Sequence, residues 1–417
     1  MFRFILSDIR RLWAGSIVIV LLITLAVALG VTVTLQERAL RLGSARAAEK
    51  FDIVVGAPGS DTQLVLSSVF LQPSDLPLMD GDVLTDLAAD PRVAWAAPIG
   101  FGDSYAGYPI VGTTTALVGD TIRGFSEGTM FAREGEAVIG SAVDLAVGAT
   151  IKPMHGSAET GGHTHTELAY KVSGKALPTG TPWDRAILVP ISAVWAIHGL
   201  GDHDEDGHHG EEAHEGEGHE EHHIEPEAPI VETWAHGEAP GLPAILVKPK
   251  SIGDAYRLRQ EYRERAGTLA VFPAEVLTRL YATLGDAKEV LTAIAAGAEL
   301  LVAASLMLVT VIHVGQRRRQ IGALRAFGAP RGSVFAIVWL ELFVLVAIGI
   351  VLGHGVGFAA AETISRSIAA ERGFGLPVEF APTDLGNAVA LTVFAAILSA
   401  LPAVIAYRQS PAEALRG

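Results

Sequence analysis

The chain has 417 residues, half of them hydrophobic and only 18% charged, with no cysteine. A soluble protein of this size carries nearer a quarter charged residues, so the balance points to a membrane protein, and the missing cysteines exclude disulfides, thiolate metal sites and cysteine catalysis. The formal net charge of −15 is local: ten of those charges fall in Gly201–His223, which holds no Lys or Arg, and the weakly acidic remainder gives no sign of nucleic-acid binding.

Residues 1–13 form a basic segment ending in an aromatic, expected in the cytoplasm. Residues 14–35 carry no charge and are long enough to cross ~30 Å of hydrocarbon, which makes them the first span. A cleaved signal peptide is the competing reading, since Ala45-Arg46-Ala47 imitates a cleavage site. The apolar run exceeds the roughly 7–15 residues of a signal h-region, and Glu37, Arg38 and Arg41 separate it from that site.

From 36 to 288 no stretch is apolar enough to span, so this region is expected as a periplasmic core domain. Its first part alternates β-like runs (Phe51–Val55, Leu64–Phe70, Val93–Pro98, Tyr108–Val118) with a helix near Asp82–Ala89. Residues 136–198 change to short β runs divided by Gly and Pro, a β-rich subdomain. After 199–226 the first texture returns with a strand in PAILVKPK and a long helical stretch from Ser251 through Tyr281. The expected fold is an α+β membrane protein: four transmembrane helices with a large extracytoplasmic α/β domain carrying an inserted small β-rich domain.

Three apolar segments close the chain at 289–315, 333–357 and 385–407. Residues 358–384 read as a short periplasmic loop of mixed charge, and 408–417 as a cytoplasmic tail. The basic segments then all fall on one side, with both termini in the cytoplasm.

Between the second and third spans lies QRRRQIGALRAFGAPRGSVFAIVWLE, Gln316–Glu341. Within 316–332, Ile321, Leu324 and Phe327 recur at helical spacing, while Arg318 and Arg325 take another face. Arg317 and Arg319 add to the densest positive charge in the chain, and Gly328 with Pro330 supplies a stop. A short amphipathic helix held between two spans on the cytoplasmic side is suited to receive force from a partner. Merely setting topology is the plainer role for its arginines. In the third span, Gly349, Gly353 and Gly357 allow close helix approach. His354, Glu299 and Glu341 are ionisable groups within apolar runs, and helix pairing suits them better than proton relay.

Gly199–His223 alternates His203, His208, His209, His214, His219, His222 and His223 with carboxylates and glycines. With almost no apolar residue it cannot pack and is expected to be disordered. Imidazoles with carboxylates suit Zn²⁺ or another transition metal, and a solvated spacer is the alternative role. His155, His163 and His165 lie in or beside a second Gly-rich stretch, where the His-Thr-His pair puts both imidazoles on one side of an extended chain.

One span, a large insert and three clustered spans resemble the MacB/FtsX/LolC-type permeases of ABC transporters. RRRQIGALRAFGAPRGSVFAIVWLE resembles that family's cytoplasmic signature. The closing LPAVIAYRQSPAEALRG matches its end motif at Pro402, Arg408, Pro411, Leu415 and Arg416, and Gly174 with Thr179–Pro190 looks like its periplasmic core. The resemblance implies a permease subunit in the bacterial inner membrane, paired as a homodimer or heterodimer among membrane lipids. A separate cytoplasmic ABC ATPase would dock on Arg317, Arg318, Arg319, Ile321, Leu324, Arg325, Phe327 and Gly328. No GxxxxGK[ST] phosphate loop occurs, so ATP enters only through that partner and the chain is not expected to be an enzyme. The cargo implied is a lipoprotein, lipid, peptide or small molecule. A membrane regulator of FtsX type, passing the ATPase cycle to a periplasmic protein without transport, is the alternative.

Overall fold

The computed structural model describes residues 13–101, 103–155, 163–164, 169–198, 225–283 and 329–408, with isolated positions between 290 and 304. The helices named below are α1 (Trp13–Ala48), α2 (Asp61–Ser68), α3 (Asp82–Ala89), α4 (Thr115–Thr121), α5 (Ile191–Ile197), α6 (Ile252–Glu264), α7 (Arg331–Arg372) and α8 (Pro382–Arg408). The strands are β1 (Ile53–Gly56), β2 (Val93–Ile99), β3 (Asp103–Tyr105), β4 (Tyr108–Thr113), β5 (Phe125–Gly128), β6 (Glu136–Ile139) and β7 (Thr150–Ile151). They continue as β8 (Met154–His155), β9 (His163–Thr164), β10 (Tyr170–Ala176), β11 (Ile187–Pro190), β12 (Ala244–Pro249) and β13 (Leu269–Val271). Two compact units result, one of Met1–Arg41, Thr283–Ile368 and Leu376–Gly417, the other of Leu42–Ala282 and Ala369–Gly375.

Among the described residues, three helices are long and apolar enough to cross a membrane: Trp13–Ala48, Gly332–Arg372 and Pro382–Leu401. The span expected at 289–315 lies outside the described residues. The loop expected at 358–384 is corrected, because α7 continues to Arg372. Its last turns are rich in Ala, a strong helix former, and Arg366 meets Glu362 one turn earlier at 2.9 Å. Charge marks where the apolar run ends, not where the helix ends. Gly373 ends it, with φ +80° and its N–H donating to the Ala369 carbonyl at 2.9 Å.

The α/β unit holds two sheets. The first is antiparallel throughout, in the order β13-β1-β12-β2. The apolar runs of β1 and β12 pack with Leu84 and Leu87 of α3 and with Leu258 and Tyr262 of α6. The second sheet has nine strands, with β5-β10-β6-β11-β4-β3-β8-β9 in sequence and β7 beside β10. It is mixed: β10 pairs with β6, and β11 with β4, in parallel. All its strands lie in the stretch that separates β2 from β12, and β3 to β5 precede residue 136. Its core gathers Ile110, Ile139, Ile151, Tyr170, Val172 and Ile187.

Three local expectations are corrected. Leu64–Phe70 is not a strand: Ser60 caps α2 by accepting from the Gln63 N–H at 3.3 Å. A short apolar run fits either element, and the cap decides it. Tyr108–Val118 divides into β4 and α4. The helix expected from Ser251 through Tyr281 breaks after Glu264. Gly267 takes φ +82°, which releases the chain into β13 before residues 273–283 turn helical again.

In Thr179–Pro190, Asp184 organises the turn. Its carboxylate accepts from the Thr179 and Gly180 N–H groups, both at 2.8 Å, and from the Thr179 hydroxyl at 2.9 Å. Trp183 donates from Nε1 to the Val69 carbonyl at 3.1 Å. Nearby, buried Glu134 accepts from the Ser192 hydroxyl at 2.7 Å and from the Val231 N–H at 3.3 Å. Burial pushes its carboxyl above the ordinary 4.5, against these hydrogen bonds. A raised carboxyl contributes stability below its unfolded value and loses it as pH rises through the folded one. Glu134→Gln still accepts from Ser192 and is expected to escape that loss. Thermal unfolding of the full chain should show the variant gaining on the native protein between pH 4 and pH 7; a difference independent of pH would contradict this.

Candidate functional site

The membrane unit is organised by the contact of α1 with α7. Glycines at four-residue spacing form one ridge on α7. A Cβ placed on Gly349 would fall 2.7 Å from the Ile23 Cβ, on Gly353 2.6 Å from the Val27 Cβ, and on Gly357 2.8 Å from the Val31 Cβ. Real Cβ atoms do not approach so closely, so the three glycines let the backbones meet at this distance. Threonines of α1 add polar contacts. Thr24 Oγ1 lies 3.4 Å from the Gly349 carbonyl, and Thr32 Oγ1 donates to Ala28 at 2.7 Å while reaching the Gly357 carbonyl at 3.2 Å. Such bonds contribute roughly 0.6–1.7 kcal/mol each within a bilayer. On the other side, Trp339 donates from Nε1 to the Ala396 carbonyl of α8 at 2.9 Å, and Ile23, Val27, Ile350 and Ala395 form the shared core.

At the end of this bundle, Arg38 of α1 grips Asp384 in the first turn of α8. Arg38 Nη1 reaches Oδ2 at 2.5 Å and Nη2 reaches Oδ1 at 2.8 Å, while Nη1 also donates to the Glu379 carbonyl at 2.9 Å. The Ala381 N–H donates to Asp384 Oδ2 at 2.8 Å. Both charged side chains are largely covered, at 14% and 12% exposure. Planar two-bond pairing of this kind fixes direction as well as distance. The sequence shows both charges beside apolar runs, but 346 positions separate them, and no spacing rule links such residues.

His354 lies on α7 and bonds within its own helix, its Nδ1 2.9 Å from the Ile350 carbonyl. It borders a cavity of about 440 Å³ with Val27, Thr34, Phe380, Asp384 and Asn387. Glu341 is buried in α7. Arg317, Arg318, Arg319, Ile321, Leu324, Arg325, Phe327 and Gly328 lie outside the described residues, as do Glu299, His165 and the tract from His203 to His223. His163 is described at a strand position, in β9 opposite His155. Among the described residues, no group of three or more His, Cys, Asp or Glu side chains is placed to hold a metal ion. The α/β unit does hold a buried polar group near its second core. The Tyr170 phenol is pushed well up, first by burial and then by the charges of Asp103 and Glu134.

Long apolar helices define a multi-pass membrane protein, and the α/β unit is a separately packed body of the same chain. Residues 292–412 match the family model described as FtsX-like permease C-terminal. An uncharacterized ABC transporter permease, YknZ of Bacillus subtilis, is 28% identical over 161 residues; the match spans 38% of this chain and 39% of that relative. The periplasmic region of MacB from Actinobacillus actinomycetemcomitans aligns with 58% of this chain and 98% of its own at 8% identity, with a TM-score of 0.33, too loose a likeness to define the fold. Residues 292–412 are thus similar to the C-terminal domain of FtsX-like permeases, and the match to the curated relative spans well under half of that protein.

Two substitutions test the bundle. Gly353→Leu forces α1 and α7 apart and should lower the unfolding free energy in detergent by about 1–3 kcal/mol. Gly355→Leu, where a Cβ meets nothing within 4 Å, should change it little; equal losses would contradict the glycine ridge. Asp384→Ala leaves the Arg38 charge covered and unpaired, and should cost about 3 kcal/mol. In a double-mutant cycle with Arg38→Ala the second change should add little, whereas additive losses would mean the pair is not coupled.

Proposed function

We propose that this chain is the transmembrane subunit of an ABC transporter, driven by a separate cytoplasmic ATPase. The FtsX-like domain over 292–412 carries this reading. The basic segment Arg317–Gly328 falls inside it and offers an anionic motor surface a cluster of arginines on an amphipathic helix. The chain crosses the bacterial inner membrane four times, at 14–35, 289–315, 333–357 and 385–407, with both termini in the cytoplasm and the α/β region, with its β-rich insert, in the periplasm. Two such chains, alike or different, pair with two ATPases. ATP-driven closure of the motors is transmitted through the spans to move a cargo at the outer face, whether lipoprotein, lipid, peptide or small molecule. The acidic histidine tract links that activity to a transition metal such as Zn²⁺. The chain contributes no catalysis of its own.

A regulator of FtsX type, which passes the same cycle to a periplasmic partner without transport, shares every step up to the outer domain. Both readings meet one test. The detergent-solubilised chain should copurify with an ATPase, and reversing Arg317, Arg318 and Arg319 to Glu should release it while leaving the permease folded. No ATPase on the native chain, or one retained after reversal, overturns both.

A further inference from the structure

The 42 residues of α7 contain no proline. At 1.5 Å per residue they make a continuous helix of about 63 Å, roughly twice the ~30 Å of hydrocarbon. Its last turn and the residues after it, Ala369–Gly375, pack as part of the α/β unit, whereas the preceding residues of α7 belong to the membrane unit. One helix thus has its length in one unit and its end in the other.

Three contacts hold that end. The final carbonyls of a helix lack partners within it and carry the negative end of its dipole, so they attract a cation. Arg185 supplies one: its Nη1 donates to the Ala370 carbonyl at 2.7 Å. Gly373 then turns the chain at φ +80°, and a Cβ there would fall 2.9 Å from the Arg185 Cγ and 3.1 Å from the Pro182 carbonyl oxygen. Phe374, 9% exposed, follows it inward and meets the equally covered Phe70 edge to face, with ring centroids 5.7 Å apart.

The seat is itself anchored. Arg185 lies in the turn that Asp184 organises, its guanidinium carbon 5.0 Å from the centre of the Tyr108 ring. Buried Trp183 packs against Phe51 at 5.6 Å and donates to the carbonyl of Val69, the residue before Phe70. Beyond Arg185 the chain enters β11, which pairs with β4 on one side and β6 on the other, inside the second sheet. A displacement of the α7 end therefore reaches that sheet through a single turn.

We propose that Arg185, Gly373 and Phe374 form a joint through which the end of α7 drives the second sheet of the α/β unit, with Arg185 as the positioning residue. The role of the joint rests on the transport reading above. Helix α7 is the span that follows the basic segment Arg317–Gly328, so a push received there travels along one unbroken helix to Thr179–Pro190.

Hydrogen exchange of the full-length chain in detergent tests the joint without any ATPase. Arg185→Ala and Phe374→Ala remove different contacts, and each should speed exchange of the Gly373 N–H, bonded to the Ala369 carbonyl in the native protein, by roughly tenfold or more. Arg366→Ala, which takes the same charge from α7 itself, should leave it unchanged. Native exchange at Gly373 in both variants overturns the joint. In the complex with the copurified ATPase, ATP should alter exchange across Thr179–Pro190 of the native chain and should no longer do so in Arg185→Ala, with the ATPase still bound. A response missing from the native complex, or surviving in the variant, overturns the transmission and leaves the transport reading standing. Failure to copurify an ATPase overturns that reading and the transmission together, while exchange at Gly373 still decides the joint.

Discussion

The distance between α1 and α7 constrains the rest of the membrane unit. With glycine at 349, 353 and 357, the two backbones meet where any larger residue would strike Ile23, Val27 or Val31. In a bilayer the hydrophobic effect gives helices no reason to associate, since lipid tails are as apolar as leucine, so contact has to come from packing and from polar groups. Thr24 and Thr32 supply the polar part by sharing carbonyls of α7. Helix α8 is then set by Trp339 on one side and by Arg38 at the end of the bundle. The first and the third of the described spans lie more than 300 residues apart in the chain, and close packing with a directional ion pair joins them.

Such a pairing suits the transmission of movement proposed above. A rigid helix pair carries a displacement along its length, whereas loosely packed spans would absorb it. The glycine ridge and the Arg38–Asp384 grip hold α1 against α7 and α8. The α/β unit is built on the same logic, with a four-stranded sheet drawn from distant parts of the chain and sealed by α3 and α6.

Much of this organisation is legible in the sequence where one residue type answers one physical demand. The four-residue glycine period on α7 and the uncharged run in α1 are of that kind, because bilayer thickness and helix pitch leave few alternatives. Partner choice was not legible. Nothing local in GVGF announces Val31 as its neighbour, and Arg38 and Asp384 read only as boundary charges. Leu64–Phe70 misleads because a seven-residue, mostly apolar run has no decisive period, and the Ser60 cap counts for more than the run. The charges after 357 mislead in the opposite way, since a helix can leave the apolar layer without stopping. His163 was visible as half of a His-Thr-His pair, but its strand pairing opposite His155 lies beyond that local pattern.

On the proposed reading, a permease without a phosphate loop takes its energy from a partner, and Arg317–Gly328 is the segment proposed to receive it. The most direct measurement is ATP turnover by the partner ATPase in reconstituted vesicles, with and without this chain. The account predicts turnover that changes when the native chain is present and reverts when Arg317, Arg318 and Arg319 are replaced by Glu. Turnover indifferent to the chain would contradict it.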